Sequence, residues 1–321
     1  MGLGREGLPL PACDSKRAGP WLAAAASAVA LLAAGCGGED GGSPATASGS
    51  PAKAAAQDDP SLYRITDKGF DRTKFSDPTT IDNRYFPLPV GTQFVYEGRS
   101  DRGQGRRRHR VIFTVTDLSK VIDGVRTRVM WDRDINAGRL LEGELAFFAQ
   151  DDDGHVWAFG EYPEEYEPDG SFGGAPDTWI VGRERARAGL HMRADPRPGT
   201  PSYLQGWAPA IEFSDRAKVL RTGRRACVPT GCYRDVLVTD ETNPLEPRDG
   251  HQLKFYAPGV GNIRAAPGRG GKEREVLELV EIRRLGAAAL ARVRRAALEL
   301  EDRAYRAADV YKGTPRATPD S

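Results

Sequence analysis

A chain of 321 residues could hold two domains, but only 39% of it is hydrophobic and its first sixty or so positions read as non-globular, which leaves material for one sizeable core. Lys and Arg number 46 against 45 Asp and Glu, and the first 35 residues carry three of the basic and two of the acidic ones, so the remainder is formally neutral. Bulk electrostatic attraction to nucleic acid or to an anionic membrane surface is therefore not implied, local patches aside, and no nucleic-acid partner is expected.

Lys16 and Arg17 precede an uncharged run from Trp21 to Ala34, followed by Gly35-Cys36. This is the charged, apolar, small-residue order of a secretory signal. The run has fourteen residues, short of the ~20 that a spanning helix needs. Ala33-Ala34-Gly35-Cys36 resembles the lipobox of bacterial lipoproteins, with Ala33 where Leu is usual. That resemblance implies cleavage before Cys36, acylation of its thiol (palmitate among the chains) and a membrane anchor on the extracytoplasmic side of the cell envelope. Residues 1–35 are thus expected as a lipoprotein signal peptide. Residues 36–60, rich in Gly, Ser, Ala and Pro, are expected as a disordered tether. For the 23 residues after Cys36, a flexible chain reaches about 25–29 Å.

From residue 61 to 285 the pattern is that of an antiparallel β domain. Leu141, Gly143, Leu145, Phe147 and Ala149 alternate with Glu142, Glu144 and Gln150, and Val125, Thr127, Val129 and Trp131 alternate with Arg126, Arg128 and Asp132. Val111, Phe113 and Val115 form a third such face, and further strands are expected near Phe94, Val156 to Gly160, Ile211 to Leu220, Tyr233 to Thr239, Leu253 to Tyr256 and Val276 to Ile282. Asp123-Gly124 and Asp153-Gly154 mark hairpin turns, as does Pro258-Gly259. No helical pattern separates these strands, so the fold class is mainly β, a curled half-barrel or a sandwich. Leu290, Val293, Ala297, Leu300 and Ala304 then follow helical spacing, with Arg292, Arg295, Arg303 and Arg306 opposite. A C-terminal helix over 286–312 and a tail over 313–321 complete the expected order, the helix packing its apolar stripe on the sheet or on a partner rather than seating its Arg face on anionic lipid.

Four blocks have a familiar look: Asn83-Arg84-Tyr85-Phe86-Pro87-Leu88 with Gly91-Thr92 and Tyr96-Glu97-Gly98; Ala149-Gln150-Asp151 with Gly154, Val156-Trp157 and Phe159-Gly160-Glu161; Asp235-Val236-Leu237-Val238-Thr239 with Pro244-Leu245-Glu246-Pro247; and Tyr256-Ala257-Pro258-Gly259-Val260-Gly261. Together they resemble an uncharacterised family of bacterial secreted and lipoprotein β domains across residues 80–283. That resemblance implies location and fold, and no chemistry.

Cys227 and Cys232 flank a Pro/Gly turn, and in an oxidising compartment a disulfide between them is expected rather than zinc binding or redox catalysis. Arg106-Arg107-Arg108-His109-Arg110 reads as a solvated hairpin end rather than a phosphate-binding patch. Asp151, Asp153 and His155 begin like a calcium loop, but Tyr162 stands where a bidentate Glu is needed. Glu161, Glu164, Glu165, Glu167 and Asp169 are expected as a solvated acidic loop. No G-x-S-x-G, H-E-x-x-H or P-loop occurs and the histidines are scattered, so no catalytic residue, metal or cofactor is assigned and an enzyme is the lesser expectation. The leading expectation is a non-catalytic module binding an apolar or amphiphilic ligand or an envelope protein. Phe94, Trp131, Phe147, Trp157, Trp179 and Trp207 motivate it, and Trp131, Phe147, Trp157, His155 and Glu161 are the candidate ligand-facing residues. The alternatives are an envelope hydrolase using His155 and Glu161, and an assembly or scaffold protein using the C-terminal helix.

Overall fold

The computed structural model describes residues 70–101, 105–245, 250–270 and 275–320. The expected signal peptide, Cys36, the tether and the end of the Pro244–Pro247 block lie outside these residues. Alternating residues become strands throughout: β1 (Thr92–Ser100), β2 (Arg107–Ile122), β3 (Val125–Asn136), β4 (Arg139–Gln150), β5 (Val156–Tyr166), β6 (Phe172–Gly174), β7 (Trp179–Ile180), β8 (Arg187–Met192), β9 (Tyr203–Leu204), β10 (Gly206–Trp207), β11 (Arg216–Val228), β12 (Gly231–Thr242), β13 (Gln252–Ala257), β14 (Gly261–Pro267), β15 (Val276–Arg284) and β16 (Thr318–Pro319). At the first hairpin, Asp123 and Gly124 both take positive φ, the geometry that matches the twist of β2 and β3.

All named neighbours pair antiparallel, in the order β10, β8, β5, β4, β3, β2, β1, β15, β14, β13, β12, β11, β9. The two ends of this path are consecutive in the chain. Tyr203 and Leu204 pair with β11, while Gly206 and Trp207 pair with β8. The sheet therefore curls into a nearly closed barrel with one seam, and Gln205 bridges it by donating its backbone N–H to Asp215 O at 2.7 Å. This resolves the choice between half-barrel and sandwich in favour of a barrel. Gly189 makes the seam possible, since a Cβ there would lie 2.0 Å from Gln205 C and 2.1 Å from Gly206 N.

Two local expectations are corrected. Pro209–Ile211 form a 3-10 turn ending on Glu212 in the left-handed region, so the strand expected from Ile211 begins only at Arg216. Only the end of the acidic run is a solvated loop, with Glu167 and Asp169 exposed in a turn, because β5 continues through Glu161 and Glu164 and both are fully buried.

The C-terminal helix (Ala287–Ala307) buries Val293, Ala297, Leu300 and Ala304 against the outside of the barrel. Beneath it lie Phe147 of β4 and Tyr162 of β5, whose rings sit 6.3 and 5.5 Å from that of Tyr311. Lys120 of β2 is fully buried there. Its Nζ donates to Glu301 Oε1 at 2.9 Å, Tyr305 OH at 3.0 Å and Pro315 O at 2.5 Å, and stands 4.4 Å from the Tyr311 ring centre. Arg303, expected on the exposed face, instead reaches Glu164 with two nitrogens at 2.9 Å. The tail is likewise ordered, for β16 adds to the distal half of β2 and Asp320 pairs with Arg128. No helix among the described residues is long and apolar enough to cross a membrane.

Substituting Gly189 by Ala forces the seam apart. Overpacking against backbone is expected to cost about 3 kcal/mol or more in a urea unfolding curve, and an unchanged midpoint would contradict the seam geometry. Lys120→Met, which strands Glu301 in the interface, is expected to destabilise by about 3–5 kcal/mol, with Lys120→Met/Glu301→Leu recovering most of the loss.

Candidate functional site

Register decides which side chains the barrel encloses. Met130 lines a central apolar cleft, and Asp132 and Asp134 follow it on the same face of β3. Their partners on β4 are Glu144 and Glu142, and Ala146, opposite Met130, pairs in turn with Glu161 of β5. Val111 of β2 stands opposite Asp134. The inner wall thus carries acids on β3, β4 and β5 and apolar residues on β1 and β2.

Toward one end the enclosed acids form a layer. His109 is buried among them, Nε2 2.6 Å from Asp134 Oδ1 and Nδ1 2.6 Å from Glu275 Oε1. Burial opposes its charge, but the two carboxylates outweigh this and raise its pKa from 6.5 to about 10. Burial, then mutual repulsion, pushes Asp132 and Glu144 well above the usual carboxylate range. Burial thus favours the neutral form of those two acids, while the carboxyl groups beside His109 favour its charged form. Across the barrel Lys254 pairs with Glu241 at 2.8 Å, and Glu241 also accepts from Thr239 and Tyr256. No group of His, Cys, Asp or Glu among the described residues has the arrangement of a metal centre.

Toward the other end the interior becomes an apolar cleft of about 440 Å³, measured out to its open mouth. Phe94, Phe113, Met130 and Tyr256 wall it, and Phe86 closes one side. His191 lies in this wall with its ring 4.3 Å from Phe86 and 5.0 Å from Phe148. Burial, helped by the charge of Lys254, holds its pKa well below 6.5, so the imidazole is neutral. Neither of its nitrogens meets a protein hydrogen-bond partner, nor does Asn262 Oδ1. A neutral imidazole offers one donor and one acceptor, and Asn262 a further acceptor, to whatever occupies the cleft.

The loop that carries Phe86 is pinned by Asn83. Its Oδ1 accepts from Tyr85 N and Phe86 N at 2.9 and 3.1 Å, while its Nδ2 donates to Gly154 O and Arg193 O at 2.9 and 3.1 Å. Gln150 Oε1 receives Asn83 N at 2.8 Å, Gly259 N donates to Arg84 O at 2.7 Å, and Tyr85 OH to Asp235 O at 3.1 Å. The four sequence blocks, distant along the chain, thus meet at the cleft mouth.

The candidate ligand-facing residues do not assemble there. Trp131 lies on the outer face beneath the Arg133 guanidinium, 4.4 Å from its ring centre. Phe147 is sealed under the C-terminal helix, and Trp157 donates to Asp151 Oδ2 at 2.8 Å beside Phe70. His155 accepts from Ala194 N at 3.0 Å at the β4–β5 turn, while Asp151 Oδ1 takes His155 N. Glu161 alone of the five faces the interior, next to Glu144. Of the aromatic residues that suggested a ligand, Phe94 lines the cleft, whereas Trp179 stacks on Phe213 and Trp207 sits in the seam. His191, Asn262 and Met130 were not foreseen. A lone His between Leu190 and Met192 carries no spacing signal, because its role depends on a barrel closing around it.

No protein-family model matches the chain, and no curated protein matches it. Among solved structures it is similar to a protein of Bacteroides fragilis NCTC 9343 assigned as exported, with a YmcC-like fold, at 14% identity and a TM-score of 0.37 over 63% of this chain and 99% of that one. It is also similar to a protein of Parabacteroides distasonis ATCC 8503 assigned as a lipoprotein, at 11% identity and a TM-score of 0.34 over 63% and 100%.

The interior charges give the fold a definite pH response. An unfolded imidazole titrates near 6.5 and His109 in the folded chain at about 10, so its contribution is whole below pH 6.5 and lost as pH rises to 10. Asp132 and Glu144, also raised, act in the same direction from lower pH, whereas the depressed His191 acts oppositely and only below 6.5. The stability measured in urea is expected to fall continuously between those limits, by an amount on the order of 5 kcal/mol from His109. In His109→Gln that stretch of the profile flattens; a profile of unchanged slope would show that the imidazolium is not held in the barrel.

Proposed function

We propose that the protein is an exported, lipid-anchored envelope protein whose barrel mouth binds an amphiphilic small molecule without transforming it. One observation carries the binding role: an apolar cleft of about 440 Å³ contains a buried His191 with no protein partner on either nitrogen. Buried polar atoms are ordinarily satisfied, and ligand pockets share this make-up of apolar walls with a few convergent polar atoms. An apolar chain fits among Phe94, Phe113 and Met130, with a hydroxyl or carbonyl of the ligand against His191 and Asn262.

The anchor and the compartment are supported by the leader of residues 1–35, Cys36 and the disulfide that joins Cys227 to Cys232. The hydrolase alternative has no support in the geometry, since His155 sits in an outer turn and Glu161 in the interior. Nor is the helix a free assembly surface, because its apolar stripe is spent on the barrel.

Mass spectrometry of material co-purifying with the membrane-extracted native protein tests the proposal. A bound amphiphile is expected with the wild type and is lost in Met130→Trp, which fills the cleft. In His191→Phe its occupancy should fall at least about tenfold, the loss of one buried polar contact. Equal recovery from wild type and Met130→Trp would remove the cleft as the binding site.

A further inference from the structure

Strand registers place every turn at one of two barrel ends. The β2–β3, β4–β5 and β13–β14 turns share one end with the cleft mouth, and the β11–β12 hairpin runs toward that same end, where Tyr85 OH donates to Asp235 O. The described chain also starts there. Arg72 pairs with Asp123 of the β2–β3 turn, and Lys74 with Asp153 of the β4–β5 turn at 2.8 Å.

The β11–β12 hairpin is an arm rather than a wall. β9 covers β11 only at Arg216 and Ala217, and the five residues Arg221–Arg225 are all exposed, whereas the tip turns back on the outer wall, where Ala226 and Val228 are buried and Arg264 of β14 donates to Cys227 O at 2.7 Å. Register shifts at Val219/Arg221, Arg221/Arg224 and Arg224/Ala226 add twist, and the Cys227–Cys232 disulfide ties the tip. Lys218, Arg221, Arg224, Arg225 and Arg234 are exposed cations that form no ion pair among the described residues. β11 contains no acid at all, and the acids of β12 are committed except Asp235, since Asp240 faces His251 and Glu241 faces Lys254. Charge of either sign would protect a free strand edge. A run of one sign on a chain whose total after the leader is neutral is more than protection requires.

We infer that this arm seats the cleft end of the barrel on an anionic phospholipid surface. The inference rests on the proposed envelope location. Cys36 stands 34 positions before Phe70, a stretch that spans at most about 120 Å, and the domain is entered from the end that bears the arm. A tethered barrel therefore presents its arm to the membrane that holds it, with the cleft mouth turned toward the source of amphiphiles. Neighbouring cations act additively on anionic lipid and are screened by salt.

The test uses the full chain carrying Cys36→Ser, so that no acyl group contributes. It measures co-sedimentation with phosphatidylcholine vesicles containing about one-third phosphatidylglycerol, and with vesicles of phosphatidylcholine alone. Binding to the anionic vesicles is expected to exceed that to the neutral ones and to weaken with salt. Arg221→Gln/Arg224→Gln/Arg225→Gln/Arg234→Gln, checked for an unchanged thermal midpoint, should lower the anionic partition by about tenfold or more. Arg292→Gln/Arg295→Gln/Arg306→Gln on the helix should leave it within about twofold. A smaller loss from the arm variant overturns the inference, as does a loss from the helix variant instead. Retention on a soluble polyanion such as polyglutamate without vesicle binding overturns it too. The mass of the wild-type amino terminus reports acylation separately, so a missing anchor and an inert arm give different results.

Discussion

Strands that carry an apolar residue on one face and a carboxylate on the other cannot close into a barrel unless both faces find partners. β3, β4 and β5 are of this kind, and Asp132, Asp134, Glu142, Glu144 and Glu161 point inward. The outer, apolar face is covered by the C-terminal helix, and the enclosed acids are managed in two ways. Some are balanced by His109, held between Asp134 and Glu275. Others, Asp132 and Glu144, are pushed by burial toward the neutral form. Charged acids without a counterion would cost several kcal/mol each in such surroundings, so barrel closure favours their protonated form.

The helix is the second half of the same constraint. Phe147 and Tyr162 would be open to solvent without it, and the pair formed by Lys120 and Glu301 fixes its position as well as its attachment. Glu301 also accepts the backbone N–H of Ala317 at 3.0 Å, so one carboxylate joins strand, helix and tail. A lysine and a glutamate this far inside contribute placement more than net stability.

The open end has a different logic. Asn83 satisfies four backbone groups around the mouth and thereby plants Phe86 against His191. The Asn83 to Leu88 block, the Gln150 to Gly154 turn, Asp235 and the Gly259 turn have a shared purpose once they are seen to hydrogen-bond to one another. They build a rim. The cleft is the space that this rim leaves.

Period-two alternation in β2 to β5, the Asp123-Gly124 turn and the helical spacing after residue 286 were all legible along the chain, because each is a local consequence of side-chain direction and backbone preference. The Cys227–Cys232 pair was legible for the same reason, both thiols flanking one turn. Which face of each strand is interior was not. Glu142 and Glu144 look like solvent residues until closure wraps them inside, and Leu145 and Phe147 look like core until a helix from the far end of the sequence proves to be their cover. Short strands such as β9 and β10 escaped for want of length, yet they close the seam. The sequence by itself determined the strands, the turns and the helix. The tertiary structure alone decided inside from outside, because enclosure depends on which distant segments meet, and so it alone could bring His191, Asn262 and Met130 to one cleft.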